Sequence, residues 1–181
     1  MTLEPPPNSD EYDGQVIRLR KRQDWEGLVR YCRSVDRQIR NAFRQGEATD
    51  DEKRLRIQAL MDLQTTYMIL DLPQRELKAA QEAHSALQDV SVPLDDLRNH
   101  FSYTALARAY KHNGQPDQAR EMLLRSITSL LSRRQAEFVG NGLLELAALE
   151  READNPQIAD VLASVAGGVK RAARRAHKET S

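Results

Sequence analysis

Apolar side chains recur along most of this chain at steps of three and four residues, the spacing of one face of an α-helix. The clearest case is a stripe of seven residues: Trp25, Leu28, Val29, Cys32, Val35, Ile39 and Phe43. Similar stripes return along the rest of the chain, and no segment sustains the two-residue alternation of a half-buried strand. The pattern therefore predicts an all-α chain of about eight helices.

Helix-breaking residues divide this pattern into pairs of helices. Gly46, Pro73 and Pro93 stop or separate helices, and the segments 113–116 and 154–156 have the composition of tight turns. They predict four hairpins, at about 10–46, 50–90, 94–133 and 135–176. The hairpins would form one repeat domain at 10–178, between a flexible Pro-rich leader at 1–9 and a tail at 179–181.

The most regular stretch of the chain lies at 103–127. Its marked positions are Tyr103, Leu106, Ala107, Tyr110, Gly114, Ala119, Leu123 and Ser126. Large residues stand where a first helix meets its neighbours, small ones stand where two helices approach closely, and Gly114 stands at the turn. Such a unit cannot bury its apolar face alone, so neighbouring copies must stack on it.

With these residues, 100–133 resembles a tetratricopeptide (TPR) repeat. The segment 140–173 resembles one less closely, because Glu150 replaces the usual aromatic residue of the first helix. Ala119 and Ala159 are equivalent positions and lie further apart than the roughly 34-residue period of the family. The resemblance is weaker in the first half of the chain. It implies an antiparallel helix-hairpin stack, a TPR-like α-solenoid, that binds a peptide or protein partner in a concave groove as an adaptor or regulatory module.

In such a stack the first helix of each hairpin would line the groove. The predicted partner-binding residues are Tyr12, Val16, Met61, Thr65, Met68, Thr104, Arg108, Lys111, Leu144 and Arg151. The three basic residues among them would favour an acidic segment of the partner, and the methionines would adapt to varied apolar shapes. The alternative is that the methionines contact neighbouring helices and that the basic residues are ordinary solvated charges.

Charge is balanced over the whole chain and uneven within it. Lys+Arg and Asp+Glu each total 27, so no overall field favours nucleic acid. Two basic faces nevertheless leave a nucleic-acid-associated function open as an alternative. They are a ridge of Arg33, Arg37, Arg40 and Arg44, and a C-terminal face of Lys170, Arg171, Arg174, Arg175, His177 and Lys178. The competing interpretations are pairing of the ridge with Glu47, Asp50, Asp51 and Glu52, and a solvating cap at the C-terminus.

Other classes of function find little support in the sequence. Cys32 is the only cysteine, which excludes a disulfide framework within the chain. Its helical stripe predicts a small buried apolar side chain, and a redox-sensing thiol is the alternative. The four histidines lack the spacing of helical metal ligands, and no phosphate-binding loop or nucleophile elbow occurs. We therefore predict no catalytic, cofactor-binding or metal-binding residue, and no enzyme.

No apolar run reaches the roughly 18–20 residues of a membrane span, and the N-terminus does not have the pattern of a signal peptide. The sequence therefore predicts a cytoplasmic protein with no membrane partner. Self-association through exposed apolar ends of the stack is a third possibility.

Overall fold

The computed structural model describes residues 5–90, 97–131 and 135–179, and these residues form eight α-helices and no strand. In chain order the helices are α1 (Ser9–Lys21), α2 (Trp25–Arg44), α3 (Asp50–Ile69), α4 (Pro73–Gln88), α5 (Leu97–His112), α6 (Pro116–Leu131), α7 (Ala136–Glu152) and α8 (Pro156–Glu179). The predicted all-α class is therefore confirmed.

Helices begin and end at residues that suit a helix terminus, either because they cap its free backbone groups or because their own backbone fits that position. At the start of α3 the Glu52 amide donates to Thr49 Oγ1 at 3.2 Å, and the Thr49 amide donates to Glu52 Oε2 at 2.7 Å. This reciprocal capping box fixes the first turn. Gly114 follows α5 with a φ of +68°, a conformation that glycine adopts without steric cost. Three helices begin with proline, whose missing N–H is harmless there: Pro73, Pro116 and Pro156.

The chain divides into two compact units, Met1–Ser91 with α1 to α4 and Val92–Ser181 with α5 to α8. In the first unit α2 packs on both α1 and α3, and α3 packs on α4. Short connections make consecutive helices antiparallel. The largest fully buried apolar side chains of this unit are Tyr12, Leu28, Ile39, Leu60, Leu63 and Leu87.

The second unit has its own core. Helix α6 packs on both α5 and α7, and α7 packs on α8. The core cluster consists of Ala107, Ala119, Leu123, Ile127, Leu130, Val139, Leu146 and Leu149. A Cβ at Gly142 of α7 would lie 2.9 Å from Ile127 Cγ1 of α6, so this glycine permits the close approach of the two helices.

Most helix bounds fall inside the predicted hairpins, although α8 continues to Glu179, beyond the predicted end at 176. Residues 1–4 of the predicted leader lie outside the described residues, as do the break at Pro93 and the last two residues of the tail. The domain boundaries stay a prediction.

Candidate partner-binding surfaces

The second unit carries a groove between α5 and α7, with α6 at its floor. Its volume is about 300 Å³, at the lower end of the range of roughly 300–1,000 Å³ for ligand pockets. Eight residues line this α5–α7 groove: Ala107, Arg108 and Lys111 of α5, Ala119 and Leu123 of α6, and Glu145, Ala148 and Leu149 of α7.

Alanines create the space in the groove. Ala107 and Ala119 are buried at the base, where α5 and α6 approach each other, and Ala148 is exposed at the mouth. Leu123 and Leu149 complete an apolar floor. The groove therefore offers an apolar depression that one or two side chains of a ligand could enter.

Ion pairs form the rim of the groove. Arg108 Nη2 lies 2.5 Å from Glu145 Oε1, and Lys111 Nζ lies 2.7 Å from Glu152 Oε1. Both basic side chains are about half exposed or more, and such pairs contribute about 0–1 kcal/mol. A carboxylate from a ligand could therefore replace either glutamate at little cost.

Of the ten predicted partner-binding residues, Arg108 and Lys111 line this groove. The other three in the second unit lie elsewhere. Thr104 is half-buried with its Oγ1 at 3.2 Å from Ser126 Oγ, Leu144 is exposed on α7, and Arg151 is exposed and pairs with Asp160 at 3.0 Å.

Three predicted residues of the first unit lie on α3. Met61 and Thr65 are half-buried, with Thr65 Oγ1 donating to the Met61 carbonyl oxygen at 3.0 Å, and Met68 is exposed. Met61, Thr65 and Met68 line neither the α5–α7 groove nor the cavity that lies between α2 and α4. Their role in partner binding stays a prediction.

Tyr12 and Val16 require a correction, because the structure places both in the core of the first unit rather than on an open surface. Tyr12 is 0% exposed and Val16 is 4% exposed. The Tyr12 ring stacks on Tyr31 with centroids 5.6 Å apart, and its hydroxyl donates to Asp62 Oδ2 at 2.7 Å. Both side chains therefore pack inside the first unit, where a partner could not contact them.

The Tyr12 hydroxyl also lies 3.3 Å from Cys32 Sγ. Cys32 is buried, which confirms the prediction of a small core side chain. Burial, the largest cause, raises the pKa of the Cys32 thiol to about 11, so the reactive thiolate is scarce at neutral pH. Burial likewise raises the pKa of Tyr12.

A second cavity, of about 530 Å³, lies in the first unit between α2 and α4. Its lining residues define the α2–α4 cavity: Arg33, Asp36, Arg37, Arg40, Asn41 and Arg44 of α2, with Lys78 and Glu82 of α4. The predicted arginine ridge therefore faces a concave space. Five basic and two acidic side chains give this lining an excess of positive charge.

The acids that neutralise part of the ridge are not the predicted ones. Arg33 Nη1 lies 2.8 Å from Glu82 Oε2, and Arg40 Nη2 lies 3.1 Å from Asp36 Oδ2 and 3.3 Å from Glu82 Oε2. Asp36 is buried and also pairs with Arg56 at 3.0 Å. The packing of the helices brings the ridge next to Glu82 of α4. Asp50 and Asp51 instead pair with Lys53 and Arg54 of α3, and Glu52 accepts a hydrogen bond from the Thr49 amide.

Three cations of the α2–α4 cavity, Arg37, Arg44 and Lys78, are exposed and have no acidic partner among the described residues. The side chains of Lys170, Arg171, Arg174 and Arg175 lie on described parts of α8, and those of His177 and Lys178 lie outside the described residues.

Two polar contacts were not predicted. Glu150, which replaces the expected aromatic residue, is buried on α7 and receives hydrogen bonds from Arg120 Nε at 2.5 Å and Asn155 Nδ2 at 2.9 Å. These bonds, the one from Arg120 first, lower the pKa of Glu150. The sequence showed only that an arginine, Arg120, occurs on the preceding helix, and this was not enough to predict the contact with Glu150.

The other contact joins α5 to α6, where His100 Nδ1 lies 2.6 Å from Ser126 Oγ. Both residues are buried, and burial lowers the pKa of His100. Because Ser126 is 0% exposed, this pair packs the two helices and does not open to a ligand.

Neither a metal site nor a membrane-spanning helix occurs in the part of the chain that the structure describes. Over residues 5–90, 97–131 and 135–179, no cluster of three histidine, cysteine, aspartate or glutamate side chains could hold a metal ion. None of the described helices combines the length and apolarity needed to cross a membrane.

Comparison with known structures identifies the fold of the chain. No family model matches the sequence, and no curated protein matches it either. The structure resembles two crystal structures of a protein from Podosopora anserina, assigned as a kinesin light chain with nearly identical TPR-like repeats. Each match has a TM-score of 0.60 and covers 90% of this chain and 94% of the other, at 16% and 15% sequence identity. The chain therefore has the all-α, antiparallel helix-hairpin fold of the TPR-like α-solenoids.

Proposed function

We propose that this protein is a protein-interaction module that binds a peptide segment of a partner in the α5–α7 groove. The TPR-like fold suggests an interaction module in general. The observation that supports this particular surface is the apolar depression of about 300 Å³ with a charged rim. Partner contact by Met61, Thr65 and Met68 of the first unit also remains a proposal, as do the single domain at 10–178 and a cytoplasmic location.

The chemistry of the groove favours a ligand with an acidic residue close to small apolar residues. An apolar side chain would enter between Ala119, Leu123 and Ala148, where it gains contacts and loses exposure to water. The ligand carboxylate would take the place of Glu145 at Arg108, or of Glu152 at Lys111. Because both resident ion pairs are solvated, this exchange leaves no charge buried and unpaired.

Peptides selected from a random library on the full chain test the proposal. We expect the selected peptides to combine Asp or Glu with Ala, Val or Leu. Ala148→Trp fills the mouth of the groove from an exposed position, so it should weaken binding of such a peptide by about tenfold or more, or roughly 1.4 kcal/mol. Fluorescence anisotropy with a labelled synthetic peptide measures the change.

Ala153→Trp is the matched control, because Ala153 is an exposed alanine that follows α7 and lies outside the groove. The double reversal Arg108→Glu with Lys111→Glu should weaken acidic peptides and leave the helical circular dichroism unchanged. Peptides that bind Ala148→Trp as tightly as they bind the parent chain would rule out this groove.

A nucleic-acid-associated function is the second candidate, and the observation in its favour is the α2–α4 cavity. Arg37, Arg44 and Lys78 are exposed there without acidic partners. Arginine and lysine side chains of this kind bind phosphates and release counterions, so their contribution falls as salt rises. No aromatic side chain lines the cavity, which argues for backbone contact rather than base stacking.

Anisotropy with random single-stranded RNA and duplex DNA, at about 50 and 200 mM salt, tests this second candidate. Substitution of Arg37, Arg44 and Lys78 by Gln should abolish a salt-sensitive signal. The control removes the same charge from exposed arginines outside the cavity: Arg18→Gln, Arg22→Gln and Arg30→Gln. Equal losses in the two triple variants would indicate non-specific attraction, and binding unaffected by salt would exclude the proposal.

A further inference from the structure

Helix α8 has two apolar faces, and only one of them is used within the second unit. Ala159 and Ala166 are buried, and Leu162 and Val169 pack against the core cluster. On a different side of the helix, three large apolar residues are exposed to solvent: Ile158 (52%), Val161 (63%) and Val165 (49%). Their spacing of three and four residues makes them one continuous stripe.

The stripe continues toward the C-terminus with small residues. Gly168 and Ala172 extend the same spacing, and Ala172 is exposed. A Cβ at Gly168 would meet no atom within 4 Å, so packing inside this chain does not require a glycine there. A glycine inside a helix costs about 1 kcal/mol relative to alanine. Close approach by another molecule would account for this otherwise costly residue.

We propose that this stripe, Ile158, Val161, Val165, Gly168 and Ala172, binds the same stripe of a second copy of the chain, antiparallel about a two-fold axis at Val165. Ile158 and Ala172 stand at equal distances along the sequence on either side of Val165, and Val161 and Gly168 nearly so. Antiparallel pairing places Ile158 opposite Ala172 and Val161 near Gly168, while Val165 meets its own counterpart at the axis. Parallel pairing would place large against large at one end and leave a gap at the other.

Charge along α8 favours the same orientation. Asp160 lies beside the large residues, whereas Arg171, Arg174 and Arg175 lie beside the small ones, and all four are exposed. The antiparallel arrangement brings Asp160 of one copy toward Arg171 of the other. In a two-fold contact every such pair occurs twice, and antiparallel helix dipoles also attract each other.

The size of the contact predicts a weak dimer. The stripe spans about 21 Å of helix at 1.5 Å per residue, so two helices bury less than the roughly 1,200–2,000 Å² of a stable standard interface. We expect a dissociation constant in the range of about 1 to 100 µM. This association is independent of the α5–α7 groove, because the groove is lined by α5, α6 and α7 and the stripe lies on α8.

Sedimentation equilibrium of the full chain over about 1–500 µM tests the proposal. The average mass should rise toward that of a dimer. Val165→Glu places two like charges at the two-fold axis and should weaken dimerisation by about 100-fold or more. Leu124→Glu is the matched control, because Leu124 of α6 is equally exposed (49%) and lies outside the stripe; its dimerisation should equal that of the parent chain.

Gly168→Leu separates dimerisation from folding. Leucine favours the helix more than glycine does, so the variant should be at least as resistant to heat as the parent. Its side chain would nevertheless occupy the space that Val161 of the second copy needs, and dimerisation should fall by about tenfold or more. A chain that remains monomeric at all concentrations, or a Gly168→Leu variant that dimerises as well as the parent, overturns the proposal.

Oxidative cross-linking tests the antiparallel orientation. Val165→Cys should form a disulfide-linked dimer readily, because each copy presents this position to the other at the axis. Ile158→Cys should not, because it faces Ala172 of the second copy. The native Cys32 is buried and does not compete. Equal cross-linking through Ile158→Cys would contradict the antiparallel contact.

Discussion

Tyr12 shows how one side chain can join three helices. It belongs to α1, its ring stacks on Tyr31 of α2, and its hydroxyl donates to Asp62 of α3 at 2.7 Å. Arg20 Nη2 donates to the second oxygen of Asp62 at 2.5 Å, so both oxygens of this carboxyl group have a donor. A buried hydrogen bond to a charged partner contributes more than an exposed one does.

Tyr12→Phe should therefore lower the free energy of unfolding by about 1–3 kcal/mol, because it removes the donor and leaves Asp62 less satisfied. Urea denaturation followed by circular dichroism measures the change. Tyr31→Phe is the control, because Tyr31 shares the ring stack and its hydroxyl makes no hydrogen bond with the described residues. If the two variants lose the same stability, the hydrogen bond to Asp62 is not what holds Tyr12 in place.

Tyr12 also shows a limit of prediction at this scale. An aromatic residue at helical spacing has the same pattern whether it faces a groove or a core. The residue that decides between them, Asp62, lies on another helix and could not be assigned from the sequence. Glu150 is a similar case, because its apparent departure from the repeat pattern is explained by Arg120 of α6.

At the scale of helices, the sequence predicted well which helices exist and where each begins and ends. Caps and breakers act within one turn, so local sequence contains most of the information. Thr49 and Glu52 cap α3, and Pro116 and Pro156 begin α6 and α8, as their positions in the sequence indicate. The eight helices followed from these signals and from apolar spacing.

The sequence did not show which side of a helix a neighbour covers. Ile158 and Val165 belong to the apolar pattern of α8 as clearly as Ala159 and Ala166 do, yet the first two are exposed and the last two are buried. Similarly, the arginine ridge of α2 was found, but its partner Glu82 was not. Such assignments depend on packing between helices that are distant in sequence.

At the scale of the whole molecule, two separate cores stabilise the chain. Leu60 of α3 and Leu130 of α6 are both 0% exposed, one in each unit. In helical repeats stability is approximately a sum of local terms and terms between neighbours, so loss of packing in one place has mainly local effects. Damage to one core should therefore be measurable separately from damage to the other.

We expect Leu60→Ala and Leu130→Ala to cost about 2–5 kcal/mol each, because each leaves a cavity in a close-packed core. Amide hydrogen exchange with peptide-level resolution should show that Leu60→Ala accelerates exchange mainly in α1–α4 and Leu130→Ala mainly in α5–α8. The two variants control for each other, since the same atoms are removed from equally buried sites. Uniform acceleration along the chain by either variant would contradict this, because it would mean that the two units open as one cooperative body.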